Sequence, residues 1–170
     1  MKTKIVLIGY SCSGKSTVAK KIASHFNFSV LDTDIMLETK YRISIYDIFE
    51  KYGEDIFRKL EYKILNEALK NDHIVIATGG GTSCFFDAIK LINEKALSIY
   101  IEMSSKSLTQ RLLCAKVTRP FTKNKTDKEL LTFVTEQLIL REPIYKQAHF
   151  TVKGENLNLP ELIKTIQKEK

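Results

Sequence analysis

GYSCSGKST, residues 9–17, follows directly on the apolar run KIVLI at residues 4–8. Its spacing is G-x-x-x-x-G-K-[ST]: Gly9, Gly14, Lys15 and Ser16, with Thr17 next. This pattern ends a strand and opens a helix around a phosphate. Glycine tolerates positive φ and lets an anion approach the backbone. Successive N–H groups line a concave anion site, and the following helix adds its positive end. In such a loop the lysine, here Lys15, reaches the β- and γ-phosphates, and the hydroxyl, here Ser16, binds Mg²⁺. A plain Gly/Ser turn is the competing reading. The strand before the loop and the helix after it supply the context that a nucleotide site requires.

Outward from the loop, strand and helix patterns alternate, which predicts an α/β fold: three layers, with a five-stranded, mostly parallel sheet and helices on both faces. STVAKKIASHF (16–26) carries Val18, Ala19, Ile22, Ala23 and Phe26 on one side, as a helix does. Strands are predicted at FSVLD (28–32), HIVIAT (73–78), ALSIYI (96–101) and HFTV (149–152). SIYDIFEKYG (44–53) and EDIFRKLEYKILNEALK (54–70) read as two helices parted near Gly53. Further helices are expected near FFDAIKLI (85–92), over SSKSLTQRLLCA (104–115) and over LPELIKTIQK (159–168), where Pro160 falls in the first turn. Thr126 and Glu129 are spaced as a capping box for DKELLTFVTEQLILREPIY (127–145), which Pro143 is expected to kink or close. KVTRPFTKNK (116–125) is polar, aperiodic and broken by Pro120, so it reads as a loop.

With 170 residues and no interdomain linker, the chain is expected to form a single domain over 1–170. No apolar run approaches the roughly 18–20 residues that span a bilayer, so no membrane partner is expected. The opening MKTKIVLIG resembles the start of a signal peptide, but polar residues arrive too soon. Cys12, Cys84 and Cys114 are odd in number and widely spaced. They are therefore expected to be reduced thiols in the cytoplasm. The net charge of +7 raises the possibility of nucleic acid. The lysines, however, are spread along the chain and their densest groups are interrupted, so the charge is expected to serve small anionic ligands instead.

In an open parallel sheet, ligands bind beyond the carboxyl ends of the strands. Three polar segments fall there: the loop itself, LDTD (31–34) and TGGGT (78–82). Asp32 and Asp34 lie where a strand gives way to a helix. One can sit near Mg²⁺ while the other faces an acceptor; capping of the helix by Asp34 or Thr33 is the simpler alternative. Three consecutive glycines, Gly79 to Gly81, exceed what a turn needs and suggest close approach of a ligand. Arg58 and Glu61 are helix neighbours, for which a surface ion pair is the ordinary reading. Arginine occurs only at Arg42, Arg58, Arg111, Arg119 and Arg141 in this lysine-rich chain. Its planar fork matches carboxylates and phosphates, so Arg58, Arg119 beside a loop proline and Arg141 late in a long helix are candidates for anion binding.

Taken together, GYSCSGKST, LDTD, FRKLE (57–61), ATGGGT (77–82), TRP (118–120) and REPIYKQA (141–148) resemble the shikimate kinase family, in order and over nearly the whole chain. The resemblance implies a P-loop kinase core, a substrate-binding helical region at about 33–61 and a mobile lid at about 115–126. It implies transfer of the γ-phosphoryl of ATP to the 3-hydroxyl of shikimate, on the route to chorismate and the aromatic amino acids. It implies that Gly14, Lys15, Ser16 and Thr17 hold the nucleotide phosphates, that Ser16 and Asp32 serve Mg²⁺, and that Asp34 faces the acceptor hydroxyl. Arg58, Gly80, Gly81 and Arg141 are implied to bind shikimate, with Glu61 holding Arg58. Arg111 would lie on the adenine, and Arg119 would meet the phosphates from the lid. Asp34, Lys15 and Arg119 are then the catalytic groups of an enzyme expected to act as a monomer.

The chain departs from the family pattern at Ser11, usually methionine, and at Cys12, usually glycine, so the loop must tolerate a Cβ there. Phe121 follows the lid proline, where leucines are common. The spacing from Arg111 to Arg119 varies in the family. Two other readings remain open on the residues alone. A nucleoside monophosphate kinase would need arginines for an acceptor phosphate where LDTD places an acid. A non-catalytic ATP-binding module would not need Lys15, Asp34 and Arg119 together.

Overall fold

KIVLI becomes the central strand, β1 (Lys4–Ile8), and Ile5 through Ile8 are fully buried. A strand buried on both faces needs a layer on each side. In this computed structural model, which describes residues 3–115 and 125–169, it has them. The other strands are β2 (Ser29–Asp32), β3 (Ile74–Ala77), β4 (Leu97–Glu102) and β5 (Phe150–Lys153). The sheet order is β2-β3-β1-β4-β5, and every pair is parallel. Val6 lies between Ile76 and Ser98, and Leu31 pairs Ile76.

Alternation along the strands sends Ile5 and Leu7 to one face and Val6 and Ile8 to the other. The first face packs on α1 (Lys15–Phe26) and α7 (Leu159–Lys168) through Val18, Ile22, Leu162 and Ile166. The second packs on α3 (Ile45–Ala68), α4 (Ala88–Lys95) and α6 (Asp127–Tyr145) through Leu65, Ile89, Ile92 and Tyr145. A third cluster joins α5 (Ser105–Leu113) to α6 through Leu108, Leu112, Leu130 and Val134. The helical region after β2 has a core of its own: Leu37 of α2 (Thr33–Tyr41) with Ile45, Ile48, Phe57 and Ile64 of α3. Among the described residues no helix is long and apolar enough to cross a membrane.

Most local signals act as expected. Gly53 (φ 78°, ψ 174°) breaks α3 where two helices were predicted. The Thr126–Glu129 capping box forms, and Asn158 caps α7 ahead of Pro160. Three details differ. The cap of α2 is Asp32, not Asp34 or Thr33: its Oδ1 accepts the N–H groups of Asp34 (3.1 Å) and Ile35 (3.5 Å). The helix expected from Phe85 starts at Ala88, because Phe86 and Asp87 take left-handed φ of 54° and 55°. Pro143 does not close α6, which runs on to Tyr145; near a helix end proline removes one hydrogen bond and its packed neighbours hold the turn. Arg119 and nearly all of the expected lid lie outside the described residues.

Candidate active site

All strands being parallel, β1, β2 and β3 deliver their C-terminal ends to one edge, and the polar segments meet there. Gly14, the residue before α1, has φ 99°, a conformation that any side chain would strain. Cys12 adopts φ 64° and is accommodated with its Cβ. Its carbonyl accepts Arg111 Nη1 at 3.3 Å, so Arg111 of α5 lies across the loop. Lys15 is buried, and its ammonium turns back on the loop, donating to the carbonyls of Gly9 (2.9 Å) and Tyr10 (2.6 Å). Ser16 Oγ donates to Asp32 Oδ2 at 2.5 Å. Asp32 therefore joins two elements, one oxygen capping α2 and the other reaching α1.

The triple glycine has a more specific cause than an approaching ligand. A Cβ on Gly79 would come within 2.6 Å of Asp34 Oδ1 and of Glu61 Oε1; on Gly80, within 2.6 Å of Ser11 Oγ; on Gly81, within 2.5 Å of Arg58 Nη1. The protein's own functional groups fill the space that side chains would take. Two further bonds hold this turn. Thr33 Oγ1 accepts the Gly79 N–H at 3.0 Å, and the Tyr145 hydroxyl donates to the Gly80 carbonyl. Tyr145 is fully buried, and burial raises its pKa well above the usual value, so it stays a neutral donor.

Arg58 and Glu61 form a buried pair, 8 % and 4 % exposed, rather than a surface one. Arg58 Nη1 donates to Glu61 Oε2 at 2.5 Å, while Nε and Nη2 share Glu54 Oε1 at 3.0 and 2.7 Å. The guanidinium also lies over the Phe85 ring, 4.3 Å from its centroid. Burial opposes the charge on Arg58, but Glu61 and Glu54 outweigh it and raise the pKa further. For Glu61, burial dominates and raises the carboxyl against the pull of Arg58, with the Asp34 charge adding to the rise. Thr82 Oγ1 donates to the second Glu61 oxygen at 2.8 Å. A guanidinium has five N–H donors. Among the described residues Glu61 and Glu54 occupy three of them through Nε, Nη1 and Nη2.

Two cavities open on this edge. The larger, about 520 Å³, is lined by Gly14, Lys15, Ser16, Thr17, Asp32 and Arg111 among others. The smaller, about 60 Å³, is lined by Arg58, Glu61, Gly80, Gly81 and Arg141, with Phe49 and Phe57 as apolar walls. Asp34 borders both. Arg141 stacks on Tyr10, 5.5 Å from the ring centroid. The structure thus brings together every site residue expected from the sequence except Arg119, which lies outside the described residues. It adds Glu54, Thr33, Thr82 and Tyr145. Glu54 was readable from its four-residue spacing to Arg58, and Tyr145 from its spacing to Arg141. Thr33 and Thr82 act across the fold and left no signal.

A family model described as shikimate kinase matches residues 11–169. The curated shikimate kinase of Azobacteroides pseudotrichonymphae is 38 % identical over 164 residues, 96 % of each chain. That of Phocaeicola vulgatus is 37 % identical over 155 residues, 91 % of this chain and 89 % of the relative. Among solved structures, the shikimate kinase of Bacteroides thetaiotaomicron superposes with a TM-score of 0.90 at 30 % identity, covering 98 % of this chain and 97 % of its own. The Acinetobacter baumannii shikimate kinase, solved in complex with shikimate, gives 0.85 at 28 % identity, covering 98 % and 92 %.

Proposed function

Since the chain belongs to the shikimate kinase family, we propose that it transfers the γ-phosphoryl of ATP to the 3-hydroxyl of shikimate, giving shikimate 3-phosphate and ADP. The reaction serves chorismate and aromatic amino-acid biosynthesis. The observation that carries the reading is the placement of Asp34 between a phosphate loop and an arginine-lined cavity. A substrate with a carboxylate at one end and a hydroxyl at the other fits that order.

In this reading the guanidinium groups of Arg58 and Arg141 bind the carboxylate, and the backbone of Gly80 and Gly81 lines the ring. Asp34 orients the hydroxyl and takes its proton as the phosphoryl arrives. Gly14, Lys15, Ser16 and Thr17 hold the nucleotide phosphates, which requires the Lys15 ammonium to leave the Gly9 and Tyr10 carbonyls. Arg111 covers the adenine, and Arg119 supplies a further cation to the transferred group. Ser16 Oγ and Asp32 Oδ2 are hard oxygen donors side by side in the larger cavity. That donor set suits Mg²⁺, which takes oxygen ligands and retains several waters. Bound there, the ion would neutralise phosphate charge. We take the enzyme to act as a monomer, and the free cysteines suit the cytoplasm.

The test is ATP consumption with Mg²⁺ and shikimate, set against gluconate and nucleoside monophosphates. Shikimate should be the preferred acceptor; faster turnover with any control overturns the reading.

A further inference from the structure

The two cavities share four lining residues: Ser11, Asp34, Ile45 and Gly80. A group that moves from the nucleotide side to the acceptor side passes among these four. Ile45 is apolar and Gly80 has no side chain. Asp34, when ionised, only accepts hydrogen bonds. Ser11 is therefore the one whose side chain can donate. It is the second residue of the phosphate loop after Gly9, and its hydroxyl is wedged against the glycine turn. A Cβ on Gly80 would lie 2.6 Å from its Oγ and 2.7 Å from its backbone nitrogen.

We infer that the Ser11 hydroxyl is a further catalytic group, donating a hydrogen bond to an equatorial oxygen of the phosphoryl in transit. The inference rests on the reaction proposed above. In that step the bond from γ-phosphorus to the β–γ bridging oxygen breaks, and ADP leaves with the electron pair. The acceptor oxygen bonds to phosphorus and its proton passes to Asp34; Ser11 keeps its own proton throughout. Charge in this transition state is spread over the three equatorial oxygens, so donors fixed at the crossing point are of use there. Lys15 and Asp34 line the larger cavity with Ser11, which is the neutral donor that also borders the smaller one. A methionine at this position, as in the family pattern, would supply no such donor.

The experiment compares wild type with Ser11→Ala in steady-state kinetics and in trapping by Mg-ADP with aluminium fluoride, a planar phosphoryl mimic, without acceptor. The variant should lose about tenfold or more in kcat, the scale of one hydrogen bond to a charged group, with both KM values within about twofold. Fluoride trapping should weaken by a similar factor while ADP affinity alone is unchanged. If kcat and trapping both stay within about twofold of wild type, the hydroxyl does not touch the phosphoryl. A raised KM for shikimate at unchanged kcat and trapping also overturns the inference, since it places the hydroxyl on the bound acceptor. If wild type fails to phosphorylate shikimate, the parent reading fails, and the acceptor-free trapping still decides Ser11.

Discussion

In the phosphate loop the cation, Lys15, is held by neutral carbonyls of its own strand-to-helix turn. In the acceptor pocket the cation, Arg58, is held by two carboxylates, one of them almost fully buried. The carbonyls and the Ser13 hydroxyl that hold Lys15 are neutral acceptors, whereas a phosphate would be a charged one. Arg58 is held by charged partners through three of its nitrogens, which fixes the plane of the guanidinium. The two ends of the site therefore differ in how much of their geometry exists before a ligand arrives. Breaking Arg58 also strands Glu61 in a dry interior, where its remaining partner is the Thr82 hydroxyl.

Asp34→Asn should have the largest effect on turnover, because Asp34 borders both cavities and is the base in the proposed reaction. A loss of roughly 10²–10⁴-fold is expected with ATP and shikimate binding nearly intact. Steady-state kinetics beside direct titrations check this; near-normal turnover would leave Asp34 with no catalytic part.

Arg58→Ala tests the preformed end most severely. It removes a guanidinium proposed to bind the carboxylate and leaves Glu61 buried without its cation, at a cost of about 3–5 kcal/mol in stability. The sign of its pH dependence follows from Glu61. Burial already raises that carboxyl above its unfolded value, and loss of Arg58 raises it further. The folded variant then holds a proton that the unfolded chain releases. Its stability should be best below the unfolded Glu value and should fall as pH rises through the elevated folded one. Urea titrations across mildly acid and neutral pH would show this, and a flat or rising profile would mean that Glu61 finds another partner.

Arg141→Ala removes a cation stacked on Tyr10 that, among the described residues, pairs with no buried carboxylate. It should weaken shikimate binding by about 1.5–3 kcal/mol with little change in melting temperature. Shikimate methyl ester, already lacking the charge, should bind the variant about as weakly as it binds wild type. Full additivity of the two losses would show that Arg141 does not meet the carboxylate.

Tyr145→Phe sets the lower end of the scale. It leaves the Gly80 carbonyl without its phenol donor and should cost about 1 kcal/mol in stability. The KM for shikimate should rise more than that for ATP, because the glycine turn borders the acceptor cavity and α6 also carries Arg141. Equal changes in both KM values would show that the turn supports the two ends alike.

The phosphate loop was legible because its parts are contiguous. Gly9, Gly14, Lys15 and Ser16 act through local backbone geometry, and a strand-to-helix turn needs no distant residue to form it. The alternation of strands and helices likewise fixes the parallel order of layers, since a buried strand such as KIVLI must be covered on both sides. The break at Gly53 and the Thr126 capping box are decided within a single turn of helix. Tertiary structure alone decided the rest. Whether Arg58 and Glu61 are a solvated pair or a buried one depends on which helix face meets the sheet, and on Phe85 and Thr82 arriving from another loop. The reason for three glycines is that Asp34, Ser11 and Arg58, from three separate segments, press into the same turn. Spacing along a chain records neighbours within a few residues. The environment of a charge, and the partner that crowds a glycine, are set by residues tens of positions away, brought together when the strand ends share one edge.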